Sequence, residues 1–354
     1  MAAYTTINKA KLHCNTVLYT GNGSTQNITG VGFQPDFIWQ KERSSTSYHV
    51  QTDSVRGNTK QLFSNVTAAE ATDSNYITSF DSDGFGQGAN NDTNQNSETY
   101  VNWCWKAGTT GSGTTTGSGT GKAYSYSVNT TAGFSIIKYK GNGTAGHTIP
   151  HHLGTTPHTI IAKRTSNANN WSIYHKDSFT SQAAPGVLYL NTTAGKANDV
   201  NVWGNSTVTI NSTVFSLGDY EGSNYNDSDY VAYCYAEKRG YSKFGTYEGN
   251  GSSDGTFAYT GFKPGIIMIK RTDTTSNWVI EDDKRIGFNE KNYHVYPNLQ
   301  NAESTNYFID QLSTGFKLRG SAGDTNASSG TYVYWAWAAN TLVDSTGKIP
   351  STAR

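Results

Sequence analysis

Two Asn-Trp pairs, Asn170-Trp171 and Asn277-Trp278, stand at matching places in the second and third of three related blocks of this 354-residue chain, and Tyr48 takes the corresponding place in the first. An aromatic face beside an amide suits a pyranose ring, because the sugar stacks on the aromatic while the amide fixes a hydroxyl. These five residues are therefore the candidate ligand-binding set, with a saccharide as the ligand class. Trp203 and the Tyr220 to Tyr230 stretch are further options. The competing reading is that a position shared between blocks is shared for packing, with these aromatics starting core strands. The sequence leaves both open.

Other chemistry is sparser. Asp81-Ser82-Asp83-Gly84 alternates oxygens as a calcium loop does, yet lacks the remaining ligands, and the matching segments of the other blocks carry no carboxylate pair, so a plain turn is expected. Five histidines gather in the second block, His147, His151, His152, His158 and His175; adjacent His151 and His152 would diverge on a strand, and solvated imidazoles are expected rather than a metal site. Glu281, Asp282 and Asp283 are consecutive, whereas glycosidases need carboxylates that converge. No nucleophile elbow stands out, and the glycine runs lack a Gly-Lys-Ser/Thr ending. The expectation is a non-enzyme with no catalytic residues, no metal and no cofactor.

What must position such residues is a unit written three times. Tyr-x-Gly-Asn-Gly occurs at Tyr19, Tyr139 and Tyr247; a proline-led apolar run follows each, and Lys41, Lys163 and Lys270 each stand six places after Pro35, Pro157 and Pro264. Each block ends on an aromatic strand, Tyr100 to Trp105, Tyr230 to Tyr235 and Tyr332 to Trp337, whose alternation puts Val101, Trp103 and Trp105 on one face and repeats in the other copies. That face is expected to line each block's core. Cys104, Cys234 and Ala336 share a slot on the opposite face, as at a small packed position, while Cys14 has no evident role.

Charged residues are only 15% of the chain against 13% aromatic, with Gly, Ser, Thr and Asn abundant, which favours strands and tight turns. The fold class expected is all-β, three tandem β-sandwich domains of jelly-roll or concanavalin-like type. The 27 basic and 27 acidic residues balance, so no bulk field draws the chain to nucleic acid, and no apolar run suggests membrane insertion or a secretory leader. The Asn-x-Ser/Thr sequons, such as Asn27-Ile28-Thr29, then mean polar turns. The expected map is an arm over 1–13, sandwiches over 14–107, 123–240 and 241–340, a Gly/Ser/Thr linker over 108–122 that leaves the first block free to move, and a polar tail over 341–354.

Gly32-Phe33-Gln34-Pro35-Asp36-Phe37-Ile38-Trp39, Asp53-Ser54-Val55-Arg56-Gly57, Ser82-Asp83-Gly84-Phe85 and the join Gly240-Tyr241-Ser242-Lys243-Phe244-Gly245 resemble an uncharacterised repeat domain of tailed-phage virion structural and tail-fibre-like proteins, often from marine phages. The second block lacks the Asp-Ser-Val-Arg-Gly segment and the third carries Asp282-Asp283-Lys284-Arg285-Ile286-Gly287 there. The resemblance implies a virion structural protein on the tail or capsid exterior, made in the host cytoplasm, partnered by other virion proteins and by host-surface glycan, and homo-oligomeric. The alternatives are a capsid-decorating or tail-stabilising protein without receptor recognition, and a carbohydrate-active enzyme.

Overall fold

The computed structural model describes residues 5–341 apart from 180, 182–184, 206, 286–288, 290–292 and 307. The architecture is all-β, as the composition predicts, with antiparallel sheets in pairs. In the first block the larger sheet has the order Cys14–Thr20, Thr99–Trp105, Phe37–Glu42, His49–Asp53, Lys60–Phe63 and Ala71–Thr72; Gln26–Thr29, Gly84–Gln87 and Ile77–Asp81 form the smaller one. The same order recurs in the other blocks. Phe134–Lys140, Asp229–Tyr235, Thr159–Arg164, Ser172–His175 and Gly186–Tyr189 follow it in the second, and Ser242–Glu248, Thr331–Asn340, Lys263–Arg271, Trp278–Asp282 and His294–Val295 in the third. The aromatic strand that closes each block is thus central in its sheet.

The repeated motif makes one corner of each block. Tyr19, Tyr139 and Tyr247 stack on Tyr100, Tyr230 and Tyr332 at 5.0, 5.1 and 4.9 Å between ring centroids. The first glycine is obligatory because a Cβ on Gly21, Gly141 or Gly249 would stand 2.1, 2.4 or 2.3 Å from a turn carbonyl. The backbone N–H of Asn22, Asn142 and Asn250 then donates to the side chain of Asn94, Asn224 and Asn326, each at 3.0 Å.

Contrary to expectation, the aromatic faces do not line separate cores. The opposite face, with Cys104 and Cys234, meets the smaller sheet: Ile28, Phe33, Ile38, Ile77 and Phe85 pack with Cys104, and Ile137, Ile149, Val187 and Phe215 with Cys234. Trp103, Trp105, Tyr233, Tyr235, Trp335 and Trp337 instead belong to one apolar cluster shared by all three blocks. At its centre the rings of Trp105, Tyr235 and Trp337 contact one another, at 6.4, 5.3 and 5.5 Å for the pairs 105–235, 105–337 and 235–337. Alternation reveals that a strand has two faces; it does not say which one meets its own second sheet and which a neighbouring block.

Much of the stretch expected to be a flexible linker forms two strands, Thr109–Thr114 and Thr116–Gly117, and 118–122 connects them to the next strand. Thr109–Thr114 is the edge strand of the second block's larger sheet, paired with Ala123–Asn129, and Thr116–Gly117 pairs with His147–Pro150. Its glycines make room for aromatics across the ladder, since a Cβ on Gly111 or Gly113 would meet the ring of Tyr126 or Tyr124 within 2.8 Å. The arm also docks: Ile7 and Ala10 are buried in the shared cluster, and Thr341 Oγ1 donates to the Asn8 carbonyl. Beyond Thr341 the tail lies outside the described residues.

Candidate functional site

The shared core is sealed by contacts that run in one direction around the three blocks. Trp103 of the first block donates from Nε1 to Asp282 Oδ2 of the third at 3.0 Å; Trp335 of the third donates to Thr159 Oγ1 of the second at 3.1 Å; and the Tyr233 hydroxyl of the second donates to Asp53 Oδ2 of the first at 2.7 Å. Backbone bonds repeat the circuit. Ser47 N–H donates to the Gln300 carbonyl, Asn169 to Thr67 and Ser276 to Thr193, while Glu303, Glu70 and Lys196 return bonds to Arg43, Thr165 and Thr272. The blocks therefore close into a ring.

The Asp-Ser-Val-Arg-Gly segment belongs to this seam. Arg56 donates to Asp53 at 2.5 Å and to Glu70 at 3.0 Å; in the third block Arg285 donates to Asp282 at 2.7 Å and to Glu303 at 3.1 Å. Burial works against both guanidinium groups, yet Asp53, and Asp282 with Glu303, hold Arg56 and Arg285 above the ordinary arginine range. In the second block His175 takes the aspartate's place against Trp335, 4.7 Å away edge-on. Lys41, Lys163 and Lys270 are buried beside these seams, and desolvation lowers their ammonium groups to about 8, 7 and 8. Lys163 and Lys270 each reach the neighbouring block, donating to the carbonyls of Thr67 and Thr193.

Of the five residues nominated for sugar binding, Trp171 and Trp278 are buried on these seams, while Tyr48, Asn170 and Asn277 are half-buried. Trp171 and Trp278 are 1% and 0% exposed and donate from Nε1 to the carbonyls of Phe63 and Tyr189 in the preceding block. Asn170 and Asn277 accept from Asn191 and Asn298, both at 2.9 Å. Tyr48 is half-buried against Phe63 and is not the counterpart of the tryptophans. His49 is: it faces Lys41 across the ladder as Trp278 faces Lys270, and its N–H is held by Asn65 as Trp171 is by Asn191 and Trp278 by Asn298. Matching aromatic to aromatic misaligned the first block by one residue. For Trp171 and Trp278 the burial agrees with the packing reading. Trp203 is buried as well.

Three histidines of the second block, His147, His151 and His175, are buried rather than solvated, while His152 and His158 are partly exposed. His147 is buried between Asn224 and Thr115, His151 is bonded to the Asn211 carbonyl, and desolvation pushes His151 to about 4 and His175 to about 3. The Asp83 carboxylate accepts the N–H groups of Gly30 and Gly32, consistent with a turn.

The corresponding corners of the three junctions differ, and at one of them a cleft opens. Asp36, His158 and Gly265 each follow the repeated proline, and each accepts through its carbonyl the N–H of Ser54, Lys176 or Asp283. Between second and third blocks this corner is filled: Glu237 is paired with Lys176 at 3.2 Å and lies 3.5 Å from His158, with the N–H of Phe244 on Glu237. Between third and first blocks only a crevice of about 10 Å³ remains, beside Cys14 and Asp283. Between first and second blocks the cleft measures about 500 Å³. Asp36 forms its floor, its Oδ2 held by Ala107 N–H and its Oδ1 by the hydroxyls of Ser54 and Ser127. Desolvation raises the Asp36 carboxyl, and the bonds from Ser54, Ala107 and Ser127 oppose the rise. Gln34, Ser54 and Lys106 line one side, and Thr110 and Ser125 of the extra strand pair the other. This cleft has no sequence signature of its own; the only signal was that one join between blocks is longer than the other.

Fold and site together define an all-β protein of three like sheet pairs locked around one aromatic core. The chain belongs to a family described only as a domain of unknown function, DUF7483, whose model matches residues 9–341 as one unit. No curated protein and no solved structure matches it.

Proposed function

We propose that the protein is a non-enzymatic structural component of a tailed-phage particle, mounted on the exterior of its tail or capsid through contacts with other virion proteins and with further copies of itself. The observation that carries this reading is the closed ring, in which chemically capable side chains are spent on joining blocks. Asp53, Arg56, Glu70, Asp282, Arg285 and Glu303 neutralise one another inside the seams, and the large aromatics fill the centre. Such an arrangement favours mechanical integrity over turnover. The phage setting rests on the sequence resemblance. Decoration or stabilisation is favoured over receptor recognition through Trp171 and Trp278, because both are buried. An enzymatic reading has less support, since Asp282 is already bound by Arg285 and Trp103.

The test is location. Immunogold labelling or a reconstruction of intact particles from a phage encoding the chain is expected to show it on the particle surface. Its presence in infected cells together with absence from purified particles would refute the proposal. Reducing-sugar release from host polysaccharide by the purified protein would replace it with the enzymatic reading.

A further inference from the structure

The geometry points to the cleft between the first and second blocks as a binding site for a short saccharide, held by hydrogen bonds rather than by ring stacking. Three observations converge. The cleft, at about 500 Å³, lies within the range of roughly 300 to 1,000 Å³ typical of small-ligand sites, whereas the corresponding corners elsewhere are filled or closed. One wall is built by Thr109–Thr114 paired with Ala123–Asn129, and the short join between the second and third blocks, Glu237 to Phe244, has no counterpart to the added strand. The lining carries the hydroxyls of Ser54, Thr110 and Ser125 and the Gln34 amide, which both donate and accept, and at one side the Lys106 ammonium, which donates; Val55 and Tyr126 also border it.

The register explains that lining. Thr110 pairs with Ser127 and Ser112 with Ser125, so these small hydroxyl residues share one face of the strand pair, and the Ser127 hydroxyl reaches Asp36 on the floor. The aromatics Tyr124 and Tyr126 alternate onto the other face, where His152 stacks on Tyr126 at 3.7 Å and Gly111 lies against the same ring. Tyr126 also borders the cleft, but His152 already occupies one face of its ring. A polyhydroxylated ligand is what a wall of small hydroxyls with a buried carboxyl floor can satisfy, each ligand hydroxyl finding both a donor and an acceptor. Lys106 adds a site for a carboxylate on an acidic sugar.

The experiment is saturation-transfer NMR with the intact purified chain, using glucose oligomers as the neutral probe and galacturonic acid oligomers as the carboxylated one, followed by calorimetric titration of any probe that responds. Transfer to at least one probe is expected. Thr110→Trp, at an exposed position on the cleft wall, is expected to weaken that probe's affinity by roughly tenfold or more with the unfolding midpoint unchanged. Lys106→Gln then separates the sources: a selective loss of the galacturonic acid signal assigns an acidic sugar, and an unchanged signal a neutral one. No transfer from either probe, or transfer untouched by Thr110→Trp, overturns the inference. The particle location plays no part in this assay, so the two proposals fail separately.

Discussion

Arg285→Met is the sharpest probe of the sealed ring. The guanidinium is 0% exposed, donates to Asp282, Glu303 and the Ile280 carbonyl at 2.7, 3.1 and 3.1 Å, and lies 5.5 Å over the Trp103 ring. Met keeps much of the volume and removes the charge, leaving Asp282 buried with the Trp103 N–H and nearby backbone N–H groups. Removing one partner of a buried pair costs about 3–5 kcal/mol, whereas an exposed pair is worth about 0.2–1 kcal/mol. Urea unfolding followed by tryptophan fluorescence should therefore show a loss near the upper figure, and because the seam joins two blocks the loss should appear in one shared transition. Asp282→Leu combined with Arg285→Met should recover part of it, since no charge is then stranded. Arg43→Met, which removes a partly exposed partner of Glu303, should cost much less. A loss below about 1 kcal/mol for Arg285→Met, or a transition in which the third block melts alone, would refute the argument that the seams are dry and that the ring is one cooperative body.

Three further outcomes are expected. Limited proteolysis read by mass spectrometry should spare Thr109–Thr114, whose backbone is paired with Ala123–Asn129; early cleavage between Thr109 and Thr114 would contradict that pairing. His294 is held at about 4 by desolvation first and by Arg285 second, so it stays neutral when folded while an unfolded imidazole protonates near 6.5. Its contribution is intact above pH 6.5 and is lost as pH falls toward 4, so His294→Leu should gain stability relative to the parent across that window in urea titrations. A constant difference between the two from pH 7 to 4 would exclude it as a titrating group. Cys234→Ala should cost no more than about 1 kcal/mol, because Ala336 fills the same slot in the third block, and Cys104 and Cys234, both 0% exposed, should resist thiol reagents until the chain unfolds.

Much of the fold was legible because strand alternation and positional repeats are local signals. The lysines six residues after each proline do mark one structural position, and the interchangeable Cys and Ala mark a packed slot. What the sequence could not convey was the partner of each face. Trp103, Tyr233 and Trp335 look like ordinary core residues of single sandwiches, and only tertiary structure shows each reaching into another block. The Gly/Ser/Thr stretch reads as flexible by composition; Tyr124 and Tyr126, facing Gly113 and Gly111, were the overlooked hint that those glycines give way to rings across a ladder. The burial of Trp171 and Trp278 was hidden for a related reason: their indoles donate to the Phe63 and Tyr189 carbonyls of another block, and Asn191 and Asn298, which accept their backbone N–H groups, lie about 20 positions downstream where no local pattern links them.

Covalent continuity among three like units has a consequence for how such a ring can change. In an assembly of identical subunits a substitution is printed at every junction, so opening one opens all of them. Here each junction has its own residues: the corner that holds Asp36 can gape while the one around Glu237 stays plugged and the one by Asp283 stays shut. A single chain can thus dedicate one joint to a new task and leave the other two to carry the mechanical load.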